Sequence, residues 1–140
     1  MIIGSGVDVI EIARIERVLG ERGDRFERRV FTPAEIRDCR GAGRPASHYA
    51  VRFAAKEAVM KAVGTGWARG VRWVDIETAR TGKPAEDRLS DVLALELHGE
   101  VAQIASRLAA RAGGDARAHL AVSRSRTHAV ATVLLEALCP

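Results

Sequence analysis

Two carboxylates and three cations are the residues of this chain best suited to chemistry. Asp8 lies in an apolar, β-branched run near the N-terminus, and Glu57 lies in an alanine-rich segment with Arg52, Lys56 and Lys61. Two carboxylates combined with phosphate oxygens and water are a common environment of Mg²⁺, because this ion rarely takes a cage made only of protein atoms. The neighbouring cations would neutralise further phosphate charge. The pattern is therefore compatible with a site for magnesium and a phosphorylated ligand.

Spacing alone leaves other interpretations of these residues open. Aspartate is a favoured helix N-cap, so Asp8 can instead cap the helix that follows it. Glu57 and Lys61 stand four residues apart and can form an ion pair on one helix face. The charges of the alanine-rich segment can also belong to a buried salt-bridge network, since a charge without a partner is costly to bury.

The helix that carries Glu57 is the most clearly marked element. Residues 52–66 are rich in Ala, Met, Lys and Glu, which favour helix, and Ser47 is a candidate cap at the start. Gly64 can adopt the left-handed conformation that ends a helix. Because the segment is apolar on most sides, we predict a buried helix that ends at Gly64.

The remaining elements predict the α+β class, as one small domain over residues 1–140 with a mainly antiparallel sheet and helices packed on it. Helices and strands are distributed along the whole chain. They are a strand at 2–10, a helix from Glu11 interrupted at Gly20 and Gly23, a helix with a capping box at Thr32, Pro33 and Glu35, strands at 72–79 and 92–97, a helix at 99–112, and strands at 118–123 and 129–135.

Composition limits the class of protein. The chain has 140 residues, of which 47% are hydrophobic and 29% charged, and no apolar run is long enough for a bilayer span. The N-terminus lacks the features of a signal peptide, so we expect a cytoplasmic protein with no membrane association. Cys39 and Cys139 are far apart in sequence and are expected to be free thiols.

The net charge of +4 favours an anionic partner, which could be a nucleic acid, an acidic protein or a polyphosphate. Aromatic residues make up only 4% of the chain, whereas proteins that bind single strands stack bases on aromatic side chains. We therefore expect no nucleic-acid partner. The chain also contains no P-loop, Cys-x-x-Cys, His-Glu-x-x-His or nucleophile-elbow motif.

Several segments of the chain occur together in one known family, in the same order. They are Gly6–Ile12 followed by Arg14, Phe31–Thr32 with Glu35, Arg52–Ala58 with Lys61–Ala62, Gly64–Gly66, Trp73–Glu77 and Gly82–Pro84. In these segments the chain resembles the holo-[acyl-carrier-protein] synthase family of 4′-phosphopantetheinyl transferases. The resemblance implies an enzyme that moves the phosphopantetheine arm of coenzyme A to a serine of an acyl carrier protein and releases adenosine 3′,5′-bisphosphate.

The resemblance also implies roles for individual residues. Asp8 and Glu57 would bind Mg²⁺, and Glu57 and Lys61 would be catalytic, with either Glu57 or a metal-bound water accepting the serine proton. The family forms homotrimers with active sites at the interfaces. The implied coenzyme A contacts are Arg52, Lys56, Lys61, Gly64, Thr65, Gly66, Lys83, Pro84 and Arg126, and the implied carrier-protein surface contains Arg14, Arg17, Arg22 and Arg25.

One position departs from the family pattern. The family has a histidine after a Ser-x-Ser/Thr sequence near the last strand, and Arg126 stands there in this chain. Arginine can hold phosphate through two hydrogen bonds but cannot exchange a proton near neutral pH. His128 could replace the histidine through a shifted register, or it could be a surface residue. An alternative function is therefore a catalytically impaired relative that keeps the trimer and binds coenzyme A and the carrier.

Overall fold

The computed structural model describes residues 1–66, 70–81 and 93–139. Helices and strands combine into an α+β fold, as predicted. In chain order the elements are β1 Ile2–Glu11, α1 Ile12–Val30, α2 Pro33–Arg40, α3 Pro45–Val63, a 3₁₀ turn at Trp73–Asp75, β2 Ile76–Arg80, β3 Leu93–Leu97, α4 Gly99–Arg111, β4 Asp115–Arg124 and β5 His128–Leu138.

A three-stranded antiparallel sheet forms the base on which α3 lies. Its strand order is β1-β5-β4, and β2 and β3 form a separate antiparallel pair. Alternate residues of β5 point toward α3, and the side chains of Ala129, Ala131, Val133 and Leu135 are fully buried. The central helix predicted from the sequence is therefore a core element, and most of its residues are buried.

Glycines of β1 allow α3 to approach the sheet very closely. A Cβ atom built on Gly6 would lie 2.0 Å from the carbonyl oxygen of Ala58, and one built on Gly4 would lie 2.3 Å from that of Ala62. These distances are far below normal van der Waals contact, so no larger residue fits without moving a backbone. Asp8 has the same strand parity as Gly6 and therefore points toward α3 as well.

The structure corrects two predicted features of the helices. Gly20 does not interrupt α1; the helix bends only at Gly23, where φ is 38° and ψ is −123°. Ser47 does not cap α3, because the helix begins earlier with Pro45 in its first turn and Arg44 at the N-cap. The hydroxyl of Ser47 instead donates to the Arg44 carbonyl at 2.9 Å.

The strand predicted at 72–79 begins only at Ile76. Residues Trp73–Asp75 form a 3₁₀ turn, in which the Arg72 guanidinium pairs with the Asp75 carboxylate at 2.6 Å. This local ion pair closes the turn, and a pattern of alternating residues does not reveal it. The capping box of α2 is present as predicted, with Thr32 and Glu35 each accepting from the other's backbone N–H.

The face of the three-stranded sheet opposite α3 carries exposed apolar side chains. Val7 and Val9 of β1 are 53% and 60% exposed, and Leu134 of β5 is 39% exposed. Such a patch marks an interaction surface more often than scattered apolar residues do. Among the described residues, no helix is both long and apolar enough to cross a membrane.

Candidate active site

The side chains of Asp8 and Lys61 meet where β1 passes α3. The Lys61 ammonium donates to Asp8 Oδ1 at 2.8 Å and to the backbone carbonyl of Val7 at 2.8 Å. The Lys61 side chain is 51% exposed, whereas that of Asp8 is only 16% exposed. Asp8 is therefore not a helix cap: α1 has Glu11 at its N-cap, with no side-chain cap bond.

Glu57 lies one turn before Lys61 and belongs to the same group of charges. Burial raises the pKa of the Glu57 carboxyl above its usual value, and the negative charge of Asp8 raises it further, whereas Lys61 and Arg14 lower it. The carboxylates of Asp8 and Glu57 therefore repel each other. A bound cation would offset this repulsion. Mg²⁺ prefers oxygen ligands such as carboxylates, so the pair fits this ion. Asp8 and Glu57 are the residues that would hold this ion.

Lys56 adjoins Glu57 in sequence but lies in a different environment. Its side chain is fully buried, and its ammonium pairs with Glu35 Oε2 at 2.8 Å and donates to the carbonyls of Ile76 and Trp73 at 2.6 and 3.1 Å. Burial is the main cause of a lowered pKa for Lys56, partly offset by Glu35. This lysine joins α3 to α2 and to the start of β2.

Arg52 extends the same buried network. One of its nitrogens donates to Thr78 Oγ1 at 2.7 Å, and the other pairs with Asp38 Oδ2 at 2.8 Å. The Thr78 hydroxyl in turn donates to Glu35 Oε1 at 2.6 Å. The sequence left open whether the charges of α3 form a buried salt-bridge network or an accessible charged group. Both arrangements occur, on different faces of the helix. Arg52 and Lys56 belong to the network and not to the group around Asp8, Glu57 and Lys61.

Arginines gather in a cleft of about 390 Å³ at the opposite end of α3. Arg124, at the end of β4, donates to the hydroxyl of Ser47 at 2.9 Å and so links the β4–β5 turn to the start of α3. Arg126 is exposed in that turn. Such a concentration of guanidinium groups suits a phosphate. The lining residues are Gly43, Arg44, Ser47, His48, Arg124, Ser125 and Arg126.

The turn after α3 is the third predicted contact region. Gly64 has φ of 72°, and its N–H donates to the carbonyls of Met60 and Lys61, which ends the helix as predicted. Thr65 and Gly64 border a cleft of about 360 Å³ whose other side is formed by α4, including Arg107 and Arg111. Gly66 also has a positive φ. Lys83 and Pro84 lie outside the described residues.

The arginines predicted to meet the carrier protein are all exposed on α1. Arg14, Arg17 and Arg22 precede the bend at Gly23, and Arg25 follows it. The part of α1 after the bend is fixed by Glu27, a buried carboxylate that pairs with Arg40 of α2 and accepts from the Tyr49 hydroxyl. Arg40 is the main cause of a lowered pKa for Glu27.

Comparison with known proteins assigns the family. A sequence model of the 4′-phosphopantetheinyl transferase superfamily matches residues 4–129. The chain belongs to this superfamily. The holo-[acyl-carrier-protein] synthase of Koribacter versatilis (strain Ellin345) is 44% identical over 138 residues, which are 97% of this chain and 99% of that protein.

Solved structures of transferases from this superfamily share the fold. A holo-(acyl-carrier-protein) synthase from Bacillus anthracis str. Ames, in complex with CoA (3′,5′-ADP), matches with a TM-score of 0.73 and 34% identity over 99% of both chains. The holo-[acyl-carrier-protein] synthase of Neisseria meningitidis matches with a TM-score of 0.75 and 32% identity over 97% of this chain and 99% of that one. The family resemblance and the α+β prediction are confirmed.

Within this transferase fold, sequence analysis missed two contributors to the charged regions. Arg44 and Arg124 border the same cleft as Arg126, although 80 positions separate them in the chain. The available signal was weak: Arg44 precedes a helix start, and Arg124 belongs to the run Arg124–Arg126. The buried partner of Lys56 was also missed, because Glu35 was interpreted only as a capping residue.

Proposed function

We propose that this chain transfers the 4′-phosphopantetheine group of coenzyme A to a serine of an apo acyl carrier protein, with Mg²⁺, and releases adenosine 3′,5′-bisphosphate. Membership of the transferase superfamily and the names of the full-length relatives support the reaction. The crystal structure of the Bacillus anthracis relative in complex with CoA supports the substrate. The observation that carries the proposal is the pairing of Lys61 with Asp8 one turn from Glu57.

Asp8 and Glu57 would hold the Mg²⁺ ion, and Lys61 would face the pyrophosphate of coenzyme A. When bound, Mg²⁺ neutralises charge on the pyrophosphate and polarises the phosphorus–oxygen bond that breaks. Lys61 is half exposed, so its ammonium can leave Asp8 for a phosphate oxygen without crossing the core. Phosphoryl transfer depends mostly on position and on charge stabilisation, which these fixed side chains supply.

The carrier serine attacks the β-phosphorus in line with the departing group. A bond forms between the serine oxygen and that phosphorus, and the bond from phosphorus to the bridging oxygen breaks. The bridging oxygen leaves with the adenosine bisphosphate, and the serine proton passes to a base such as Glu57. The positive charge of Arg14 on α1 lowers the pKa of Glu57, which supports a carrier-binding role for this part of α1.

The cleft at the start of α3 receives another phosphate of coenzyme A. Arg44 and Arg126 stand there beside Arg124, which is positioned by Ser47. The turn at Gly64–Gly66, which directly follows the helix that carries Lys61, remains a predicted contact, as do Lys83 and Pro84. Because Arg52 and Lys56 are buried and bonded within the chain, we assign them the positioning of α3 against α2 and β2.

A homotrimer joins the two halves of the site. About 14 residues of α3 separate Ser47 from Lys61, which is roughly 20 Å along a helix axis. The arginine cleft of one chain and the Asp8 region of another can therefore be brought together by assembly. The exposed Val7, Val9 and Leu134 give the sheet face an apolar surface that a neighbouring chain can cover.

The proposed reaction is tested by incubating the protein with coenzyme A and an apo acyl carrier protein, with and without Mg²⁺. Intact-mass spectrometry should record the addition of one phosphopantetheine group only with the metal. Replacing Glu57 by Gln should lower the rate at least about 100-fold, because a charged group acting on the transition state is lost.

The matched control is Asp115→Asn, an exposed carboxylate at the start of β4, the opposite end of that strand from Arg124. It should leave the rate unchanged. Near-normal transfer by the Glu57→Gln protein would contradict the assignment of the site. If the wild-type protein binds coenzyme A as a trimer but loads no carrier, the alternative of an impaired relative, raised by Arg126, is correct.

A further inference from the structure

A second group of metal-binding side chains lies on the β2–β3 pair, away from Asp8 and Glu57. Glu77, Glu96 and His98 each offer one ligand atom, and these three atoms all lie within 4.8 Å of one another. His98 Nε2 is 3.6 Å from Glu77 Oε2 and 3.9 Å from Glu96 Oε2. The imidazole thus stands between two carboxylates.

Rigid backbone elements hold these three side chains in place. Glu77 of β2 and Glu96 of β3 are direct cross-strand partners, so their side chains emerge on the same face of the pair. The backbone N–H of His98 donates to the carbonyl of Asp75 at 2.8 Å, and His98 is the N-cap residue of α4. Two paired strands and a helix start therefore converge on one point.

The second oxygen of Glu77 has its own partner. The hydroxyl of Thr32 donates to Glu77 Oε1 at 3.1 Å, which leaves Oε2 on the side of His98. Such a bond to the outer oxygen of a carboxylate is the usual way in which proteins orient a metal ligand. The neighbouring Glu96 meanwhile repels Glu77, since like charges directly opposite each other destabilise a strand pair.

The two distances from His98 to the carboxylates are close to those of a zinc site. Zinc bonds of about 2.0–2.2 Å in tetrahedral geometry place ligand atoms roughly 3.3–3.6 Å apart. The two separations at His98, 3.6 and 3.9 Å, require shifts of only a few tenths of an ångström. One imidazole and two carboxylates suit Zn²⁺, whereas the site at Asp8 and Glu57 has only carboxylates and suits a harder ion.

We propose that Glu77, Glu96 and His98 bind one Zn²⁺ ion, with water completing the coordination. The ion would offset the repulsion between the two glutamates and would join the β2–β3 pair to the start of α4. Through Thr32 it would also connect with the start of α2. This site is independent of the transfer reaction and serves the structure.

The test uses the full-length protein with Cys139→Ser, because Cys139 is an exposed free thiol and cysteine thiolates are common zinc ligands. Zn²⁺ is titrated by calorimetry in excess Mg²⁺, which occupies the carboxylates of the proposed active site. We expect one ion per chain. Glu96→Gln and His98→Gln should each weaken zinc binding about tenfold or more, and Co²⁺ bound in its place should give a visible absorption spectrum that His98→Gln abolishes.

The matched control is His119→Gln. His119 also contacts a glutamate, Glu136, at 2.8 Å. In the described part of the chain, however, His119 belongs to no group of three potential metal ligands. This control should bind zinc like the parent protein. Absence of binding, or equal affinity in the His98→Gln protein, would overturn the proposal and leave His98 as a neighbour of the two glutamates with no metal ion between them. Circular dichroism checks that each variant is folded.

Discussion

Lys56 and Lys61 have the same side chain and stand five residues apart on one helix, yet their environments differ. Five residues turn an α-helix by about 140° relative to the starting direction, so the two side chains leave on different faces. Lys56 is enclosed by Glu35 and two carbonyls, and any ligand would have to break those bonds first. The Lys61 side chain is half exposed, so its ammonium contacts solvent as well as Asp8. Only Lys61 is free to exchange its partner for a phosphate.

Arg126 provides a prediction at the scale of a single residue. Replacing it by Ala should lower kcat/KM for coenzyme A by about 10- to 100-fold, since hydrogen bonds to a charged group contribute about 1.5–3 kcal/mol. The same variant should use 3′-dephospho-coenzyme A as well as the parent protein does, if the arginine cleft binds the 3′-phosphate. Steady-state kinetics with both substrates measures the difference.

Arg37→Ala, on the exposed side of α2, is the control for this experiment and should change neither substrate. A substitution by Lys at Arg126 should recover part of the loss, because the charge remains while the two-pronged geometry is lost. Equal losses for both substrates would place Arg126 at the pyrophosphate or outside the site.

At this scale the sequence indicated residue types better than it indicated partners. Asp8 and Glu57 could be identified as site candidates because charged residues in apolar segments are few. Whether Asp8 caps a helix or belongs to a site depends on where β1 crosses α3. The spacing of residues in the sequence does not reveal that crossing point. The pairing of Lys56 with Glu35 likewise joins two helices, and local patterns describe only one helix at a time.

The contact between β1 and α3 is the element-scale feature that positions the site. Gly6→Ala would place a methyl group where the Ala58 carbonyl oxygen already lies, so the strand must move away from the helix. We expect a loss of about 1–3 kcal/mol in the free energy of unfolding, as for an overpacked core. Transfer activity should fall more than stability explains, because the Asp8–Lys61 pair separates.

Gly20→Ala is a suitable control, since an added Cβ at this exposed position of α1 meets no atom within 4 Å. Alanine should stabilise the helix there by about 0.5–1 kcal/mol. Denaturant unfolding followed by carrier loading compares the two variants. If Gly6→Ala is as stable and active as the parent, the close approach does not determine the site.

Elements with local chemical signals were predicted well. The capping box at Thr32 and the glycine that ends α3 are set by residues a few positions apart, and both are present. The start of α3 was misplaced because Ser47 and Pro45 are both acceptable near a helix start, and proline had the stronger claim. The start of β2 was misplaced because the Arg72–Asp75 pair closes a turn.

At the scale of the whole molecule, two features favour the proposed assembly. The sheet face opposite α3 leaves Val7 and Val9 more than half exposed, a cost that assembly removes. The arginine cleft and the Asp8 region lie near opposite ends of α3, which suits a ligand held between copies. In a closed ring every copy presents one region to each neighbour, so three copies would form three equivalent sites.

This arrangement predicts that two inactive proteins restore each other. Glu57→Gln keeps the arginine cleft, and the double variant Arg44→Ala/Arg126→Ala keeps the carboxylates. Each mixed trimer should have both intact halves at one of its three sites, because each half of a site comes from a different chain. Co-expression with two affinity tags isolates the mixed trimers, light scattering verifies their mass, and carrier loading measures activity. If each site were built within one chain, every mixed site would carry a defect, and the mixed trimers would be no more active than the two parents.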